Sequence, residues 1–145
     1  MFIKKTIIFV FIIGFIILSK GDAEEKTAYW LEGIHRIENI AQPTEIEEMH
    51  SPRIVLPPGI RAGETFFVRV RVGDMPHPMT DEHFILHVEW LLDGVYQGRI
   101  SLNSSVPRAE FEIPLRITKE AELRILSRCN VHGLWENSVT IMPLK

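Results

Sequence analysis

Cysteine is almost absent from this sequence: Cys129 is the only one among 145 residues. A single cysteine excludes an internal disulfide framework, and it excludes zinc and iron–sulfur sites that are built from several cysteines. A lone thiol of this kind is buried and inert, or it is paired with another chain, or it binds a metal. The sequence around Cys129 must therefore indicate which of these three roles the thiol has.

Basic charge is also scarce. Sixteen Lys and Arg residues against 19 Asp and Glu residues give a net charge of −3 at pH 7. Proteins that bind nucleic acid usually carry a positive patch for the phosphates, so no nucleic-acid partner is expected. The sequence contains no nucleotide-binding loop, no Ser–His–Asp pattern and no paired catalytic carboxylates. Its composition, 46% hydrophobic and 24% charged, is ordinary for a globular domain.

The one long apolar run lies at the N-terminus. Lys4 and Lys5 precede residues 6–18, which are apolar except for one Thr and one Gly, and Gly21 and Ala23 follow at the spacing that signal peptidase accepts. This run is short for a membrane span, which needs about 20 residues. We therefore predict a signal peptide over residues 1–23 and an exported, periplasmic or otherwise extracytoplasmic protein. The alternative is an uncleaved N-terminal membrane anchor.

Residues 24–52 form a polar and acidic arm. Apolar residues recur in it at a spacing of three, which predicts a short helix or a loosely helical segment that ends at Pro43. The spaced residues are Leu31, Ile34, Ile37 and Ile40, with Trp30 beside them. Glu47, beside Glu48, is interpreted as part of a solvated acidic run.

From Arg53 to the C-terminus the pattern changes to short strands. Apolar and polar residues alternate over residues 64–72 and 83–93, and the second segment ends in the hairpin signal Asp93–Gly94. On the second segment the predicted inner row is Phe84, Leu86, Val88, Trp90 and Leu92. About seven strands at this spacing predict an all-β, immunoglobulin-like seven-stranded β-sandwich over residues 53–145, with residues 24–52 as its N-terminal arm. A small open barrel is the alternative.

Three short clusters of histidine and cysteine interrupt this pattern. They are Glu48–Pro52, Pro76–His83 and Cys129–Trp135. We expect all three in turns or at strand ends, where a rigid sandwich usually carries its functional residues. Two residues between Cys129 and His132 allow one turn to bring both side chains to one metal. Pro76 and Pro78 restrict the backbone around His77, which lowers the entropy lost in holding a ligand.

Four imidazoles and one thiolate form a donor set that suits iron, copper or zinc. Structural zinc takes four ligands, one fewer than the candidates here. Blue copper uses two His, one Cys and a weak axial Met, but the first Met after His132 is Met142. High-spin iron accepts five or six ligands, so iron is favoured and copper stays an alternative. The other two histidines, His35 and His87, are assigned to no site.

The segments Pro76–His83 and Cys129–Asn137 closely resemble superoxide reductase in its single-domain, neelaredoxin-like form. The resemblance covers roughly residues 48–141. It implies one iron per chain, bound in a plane by His50, His77, His83 and His132 and on one axis by Cys129. It also implies that Glu48 is a catalytic residue that can cap the open axis as a further metal ligand.

The resemblance implies a one-electron reduction of superoxide to hydrogen peroxide, with the iron cycling between Fe(II) and Fe(III). An external donor, rubredoxin-like or another small redox carrier, must return the iron to Fe(II). Relatives of this size are often homotetramers, so a homotetramer is expected. The alternative function is a non-catalytic iron- or copper-binding electron-transfer protein.

One position departs from the family pattern. The family usually has Glu-Lys-His where this sequence has Glu48-Met49-His50. Because Met49 carries no charge to attract an anion, we expect slower capture of superoxide. Arg53 is a candidate substitute for that charge, and Trp135 is predicted to shield the iron from bulk water.

Overall fold

The computed structural model describes residues 33–145. Eight strands and one short helix form within this range, in two β-sheets. The elements are β1 (Ile34–His35), α1 (Glu45–His50), β2 (Pro52–Val55), β3 (Thr65–Val72), β4 (Ile85–Leu92), β5 (Val95–Ser101), β6 (Glu110–Arg116), β7 (Ala121–Cys129) and β8 (Gly133–Ile141). The predicted signal peptide lies outside the described residues.

The two sheets have the orders β1-β8-β7-β4-β5 and β2-β3-β6. All neighbouring strands are antiparallel except β1, which runs parallel to β8. The seven strands from β2 to β8 match the seven predicted from the sequence, so the all-β sandwich is confirmed. The Asp93–Gly94 hairpin is confirmed too, with φ values of 49° and 76° at its two positions.

The core contains the inward residues of both sheets. On β3 the alternation predicted over residues 64–72 is confirmed, because Val68 and Val70 are fully buried while Phe67 between them is 56% exposed. Ile113 and Ile125 contribute from the two sheets, at 1% and 0% exposure. Burying such side chains stabilises a fold by about 1.5–3 kcal/mol each, which lets the sandwich hold loops in fixed positions at its ends.

The predicted inner row of β4 is wrong at its start. Ile85, which the alternation placed outward, is fully buried, and so is Val88. The register with β7 shifts between Ile85 and His87, so that Leu86 is an extra residue. Such a bulge reverses which face the following side chains occupy. It lies opposite Cys129, the partner of Ile85, and therefore beside the end of β7 that carries the thiol.

The arm is not helical where the sequence predicted a helix. Ile34 and His35 form β1 instead, and Ile40 is 87% exposed. Trp30 and Leu31 lie outside the described residues. The helix begins after Pro43 rather than ending there, because Thr44 caps its N-terminus. Over residues 33–145 no helix is both long and apolar enough to cross a membrane.

Candidate metal centre

Four predicted ligands meet at one end of the sandwich. The donor atoms of His50, His77, His83 and Cys129 all lie within 4.8 Å of one another. These residues come from α1, from the loop between β3 and β4, and from the end of β7. Histidine nitrogen and cysteine sulfur at such separations can surround a single ion. The structure therefore brings together three segments that are far apart in the sequence.

His132, the fifth predicted ligand, approaches the same group through its Nδ1 atom. This nitrogen lies 2.9 Å from His50 Nε2, 3.1 Å from His83 Nε2 and 3.7 Å from Cys129 Sγ. His132 is thus adjacent to three of the four other donors, namely His50, His83 and Cys129.

His50 is the last residue of α1, and the helix cap fixes its position. Thr44 and Glu47 form a reciprocal capping box at the start of the helix. The Nδ1–H of His50 donates to the carbonyl of Ile46 at 2.7 Å, so its Nε2 keeps a free lone pair. At the other end of the residue, Ser127 Oγ donates to the His50 carbonyl at 3.0 Å.

Glu47 is buried, contrary to the sequence interpretation of a solvated residue. Its carboxylate accepts hydrogen bonds from the backbone N–H of Glu38 and of Thr44, and from the Thr44 hydroxyl. These bonds hold the pKa of Glu47 below its usual value. Glu47 consequently ties the arm to the helix that carries His50.

His77 shows most directly that the cluster suits a metal ion. Its Nδ1–H donates to the Pro78 carbonyl at 2.5 Å, which leaves Nε2 without a proton. That Nε2 is buried and has no hydrogen-bond partner among the described residues. A buried unpaired acceptor costs about 1–3 kcal/mol, and a metal ion beside the other donors would satisfy it.

The side chain of Asn130 joins the loop between β3 and β4, which carries His77 and His83, to the Cys129–His132 turn. Its side-chain oxygen accepts from the N–H of Phe84 at 2.9 Å, and its amide donates to the carbonyl of Glu82 at 2.9 Å. His83 lies between these two anchored residues. Asn130 therefore fixes the separation between His83 and Cys129, a role that its polar side chain alone did not reveal.

The thiol of Cys129 is 2% exposed and lies at the end of β7. The backbone N–H groups of Val131 and His132 both point to its sulfur, each at 3.4 Å. The sulfur is also 3.7 Å from the Nδ1 atom of His132, so it lies beside a predicted metal ligand. Of the three alternatives for a lone cysteine, the surroundings favour the metal ligand.

Burial keeps three imidazoles of the cluster, those of His50, His77 and His83, neutral. Removal from water is the main cause that lowers the pKa values of His50 and His77 to about 4. The pKa of His83 is also lowered, first by burial and then by the neighbouring His132. Neutral imidazole is the form that binds a metal, so these three histidines are ready to bind one at pH 7.

An open cavity of about 520 Å³ lies in front of the cluster. Its lining consists of Thr44, Glu45, Ile46, Met49, His50, Pro78, His83 and His132. None of these lining residues is Lys or Arg, and the acidic Glu45 is one of them. Met49 thus stands at the cavity without supplying positive charge, as the sequence predicted.

Two predicted residues lie outside this cavity lining. Glu48, half-buried, is neither among the lining residues nor in the donor cluster, and its backbone carbonyl accepts from the Asp74 N–H at 2.7 Å. Its role as an axial ligand stays a prediction. Arg53 forms an ion pair with Asp74 and lines a different cleft, so it does not supply the charge that Met49 lacks.

Trp135 is buried against the ring of His50. It is 4% exposed, and its ring stacks on His50 with centroids 5.2 Å apart. Its Nε1–H donates to the His132 carbonyl at 3.0 Å. Trp135 therefore separates His50 from solvent and braces the turn that carries His132, consistent with the predicted shielding role.

Comparison with known proteins shows which family this chain resembles in sequence and in structure. The profile of the family described as desulfoferrodoxin matches residues 42–138. The superoxide reductase of Pyrococcus furiosus is 40% identical over 100 residues, which cover 56% of this chain and 81% of that protein. The superoxide reductase (neelaredoxin) of Ignicoccus hospitalis has a TM-score of 0.59 and 32% identity, covering 66% of this chain and 81% of that one. A superoxide reductase solved in the oxidised state has a TM-score of 0.59 and 32% identity, covering 77% and 98%.

Proposed function

This chain belongs to the desulfoferrodoxin family, and from that premise we propose that it is a superoxide reductase. The reaction is O2•− + e− + 2H+ → H2O2. The observation that carries the proposal is the meeting of five donors, His50, His77, His83, Cys129 and His132, beside an open cavity. The metal that we propose is a single non-haem iron.

Iron bound by these residues supplies the electron that reduces superoxide. The chain's own contribution is to hold the donors in place and to leave one side accessible. His50 and His77 keep their Nδ1–H groups on backbone carbonyls, which orients each Nε2 toward the metal position. The cavity between α1 and Pro78 is large enough for a diatomic anion and its water, while Trp135, which does not line it, packs on the ring of His50.

Five donors also distinguish iron from the other candidate metals. A closed structural zinc site would use four of them and leave one unused. A blue-copper site takes two His, one Cys and a weak axial Met, so it would leave two of the four histidines unused. The zinc and copper alternatives therefore both fit the five donors less well than iron. We propose one iron per chain, which would cycle between Fe(II) and Fe(III).

Metal analysis and pulse radiolysis of the purified protein test this function. We expect one iron per chain, a colour on oxidation from thiolate-to-iron charge transfer, and a fast reaction of the reduced protein with superoxide. Cys129→Ser is the matched control, since it removes the sulfur and should abolish the colour. Copper in the site, or iron that is inert to superoxide, would instead identify an electron-transfer protein.

The turnover requires a reductant from outside the chain. We propose a small one-electron carrier, rubredoxin-like or similar, because Cys129 is the only cysteine and cannot form a second cluster. We further propose a homotetramer, on the basis of the resemblance alone. Sedimentation of the iron-loaded protein tests the assembly, and a monomer would reject it.

We also propose that the protein is exported. The proposal rests on the pattern of residues 1–23, in which Lys4 and Lys5 precede a short apolar run and Gly21 and Ala23 follow. Mass spectrometry of the protein from its native host should find Glu24 at the N-terminus. An intact Met1 would reject cleavage and favour the membrane anchor.

A further inference from the structure

Three aromatic rings form a continuous stack from the surface to the metal centre. The ring of His35 lies 4.9 Å from that of Trp135, centroid to centroid, at an angle of 33°. Trp135 in turn lies 5.2 Å from the ring of His50 at 26°. Both separations are within the 4.5–7 Å of interacting aromatic pairs. We call these residues the aromatic stack.

The stack crosses from solvent to the interior in three steps. His35 is exposed, Trp135 is 4% exposed and His50 is fully buried. The pairing of β1 with β8 sets this order, because the parallel register places His35 opposite Trp135. The hydrogen bond from Trp135 Nε1 to the His132 carbonyl then holds the indole against the cluster.

The two outer rings of the stack lie away from the entrance that the substrate would use, which only the innermost ring, His50, helps to line. The cavity in front of the cluster is lined by α1, Pro78, His83 and His132, and neither His35 nor Trp135 is among its lining residues. An enzyme that takes electrons from one reactant and gives them to another benefits from two separate approaches. A reductant at His35 would leave the cavity open to superoxide.

We propose that Trp135 conducts electrons from an external one-electron carrier at His35 to the metal held by His50. The inference rests on the proposed redox function of the cluster. One electron leaves the carrier, which is oxidised by one unit, and Fe(III) becomes Fe(II). No bond forms or breaks and no proton moves. Electron tunnelling is faster through π systems in van der Waals contact than across saturated side chains or gaps.

The six histidines of the chain allow a direct test. In a His87→Gln background with iron bound, His35 is the one imidazole outside the metal cluster. A ruthenium bipyridyl complex attached to His35 donates an electron to Fe(III) after a laser flash, and the loss of the ferric absorption gives the rate. We expect Trp135→Leu to slow this transfer at least tenfold.

A second label position separates conduction from damage to the site. Val131, in the Cys129–His132 turn, is 58% exposed, so Val131→His combined with His35→Gln carries the label beside the metal without the indole between them. Transfer from position 131 should change less than twofold in Trp135→Leu. Equal slowing from both positions, or none from His35, would overturn the proposal.

An alternative variant and the design of the measurement cover the remaining outcomes. If Trp135→Leu does not retain iron, Trp135→Phe replaces it, because a smaller ring keeps the packing but widens the gaps; slower transfer from His35 alone again supports the proposal. The flash measurement uses no superoxide. Failure of the stack and failure of the proposed reductase activity are therefore separate results.

Discussion

At the scale of single residues, the sequence identified the donors but not their orientation. The three histidine and cysteine clusters of the sequence contain the five candidate ligands, and the structure brings them to one end of the sandwich. The sequence could not show that His50 and His77 donate Nδ1–H to backbone carbonyls, because those bonds depend on the final path of the chain. Burial of Glu47 was missed for the same reason: its partners belong to a turn that no periodicity reveals.

Met49 is the residue at which a single charge should change the reaction rate. It lines the cavity, and no Lys or Arg lines it among the described residues. A charge near the surface attracts an anion at 4 Å by about 4 kcal/mol at an effective dielectric constant near 20. Met49→Lys should therefore raise the second-order rate with superoxide, measured by pulse radiolysis. The rate should also fall more steeply with ionic strength than in the parent.

Met49→Gln is the matched control, since it is polar and of similar length but neutral. It should leave both the rate and its salt dependence close to those of the parent. If Met49→Lys and Met49→Gln give the same rate and the same salt dependence, the electrostatic field at the cavity entrance does not limit the reaction with superoxide.

At the scale of elements, the strands were predictable and the irregular connections were not. Alternation with period two identified β3, and the Asp93–Gly94 pair identified a hairpin. The two-residue β1 is too short to leave a pattern, and the bulge in β4 breaks the alternation that was used to find the strand. Both lie next to the site, where local structure is set by contacts between distant segments.

Gly73 lies where α1, which carries His50, packs against the loop that carries His77. It has a φ of 80°, and a Cβ there would lie 2.4 Å from the Met49 carbonyl oxygen and 2.3 Å from that of Met75. Gly73→Ala should thus push α1 away from the His77 loop, lower the iron content and destabilise the fold by more than about 1 kcal/mol. Thermal unfolding and metal analysis measure the two effects.

Gly59→Ala is the matched control for backbone strain. Gly59 also has a positive φ, 69°, but a Cβ there meets nothing within 4 Å. It should cost roughly 1 kcal/mol and leave the iron content unchanged. Equal losses of iron in both variants would show that the contact with Met49 is unimportant.

Asn130 makes a second testable connection between elements. Asn130→Ala removes the two bonds that hold Phe84 and Glu82, each of which contributes about 0.5–1.5 kcal/mol. We expect a weaker affinity for iron, measured by competition with a chelator, because His83 is no longer fixed relative to Cys129. Asn39→Ala, which removes a local bond to the Ala41 N–H, should not change the affinity.

At the scale of the whole molecule, the metal acts as a bond between segments. His50, His77 and Cys129 lie in distant parts of the chain, so an ion that binds all of them binds only the folded state. Ligand binding at 1,000 times its dissociation constant stabilises a fold by about 4.1 kcal/mol. Chelation of the iron should therefore lower the Tm by several degrees, measured by calorimetry. An unchanged Tm would mean that the ion contributes nothing to folding.

The metal-free protein should also become less stable in acid, because the buried histidines cannot be protonated without cost. In the folded chain the pKa values of His50 and His77 are about 4, whereas the ordinary value is 6.5. Between pH 6.5 and 4 the unfolded chain binds more protons than the folded one, so stability falls as the pH falls through this window. Denaturant unfolding at each pH measures it. His77→Gln removes one such group and should give a shallower fall; a slope identical to that of the parent would reject the burial of His77 as a cause.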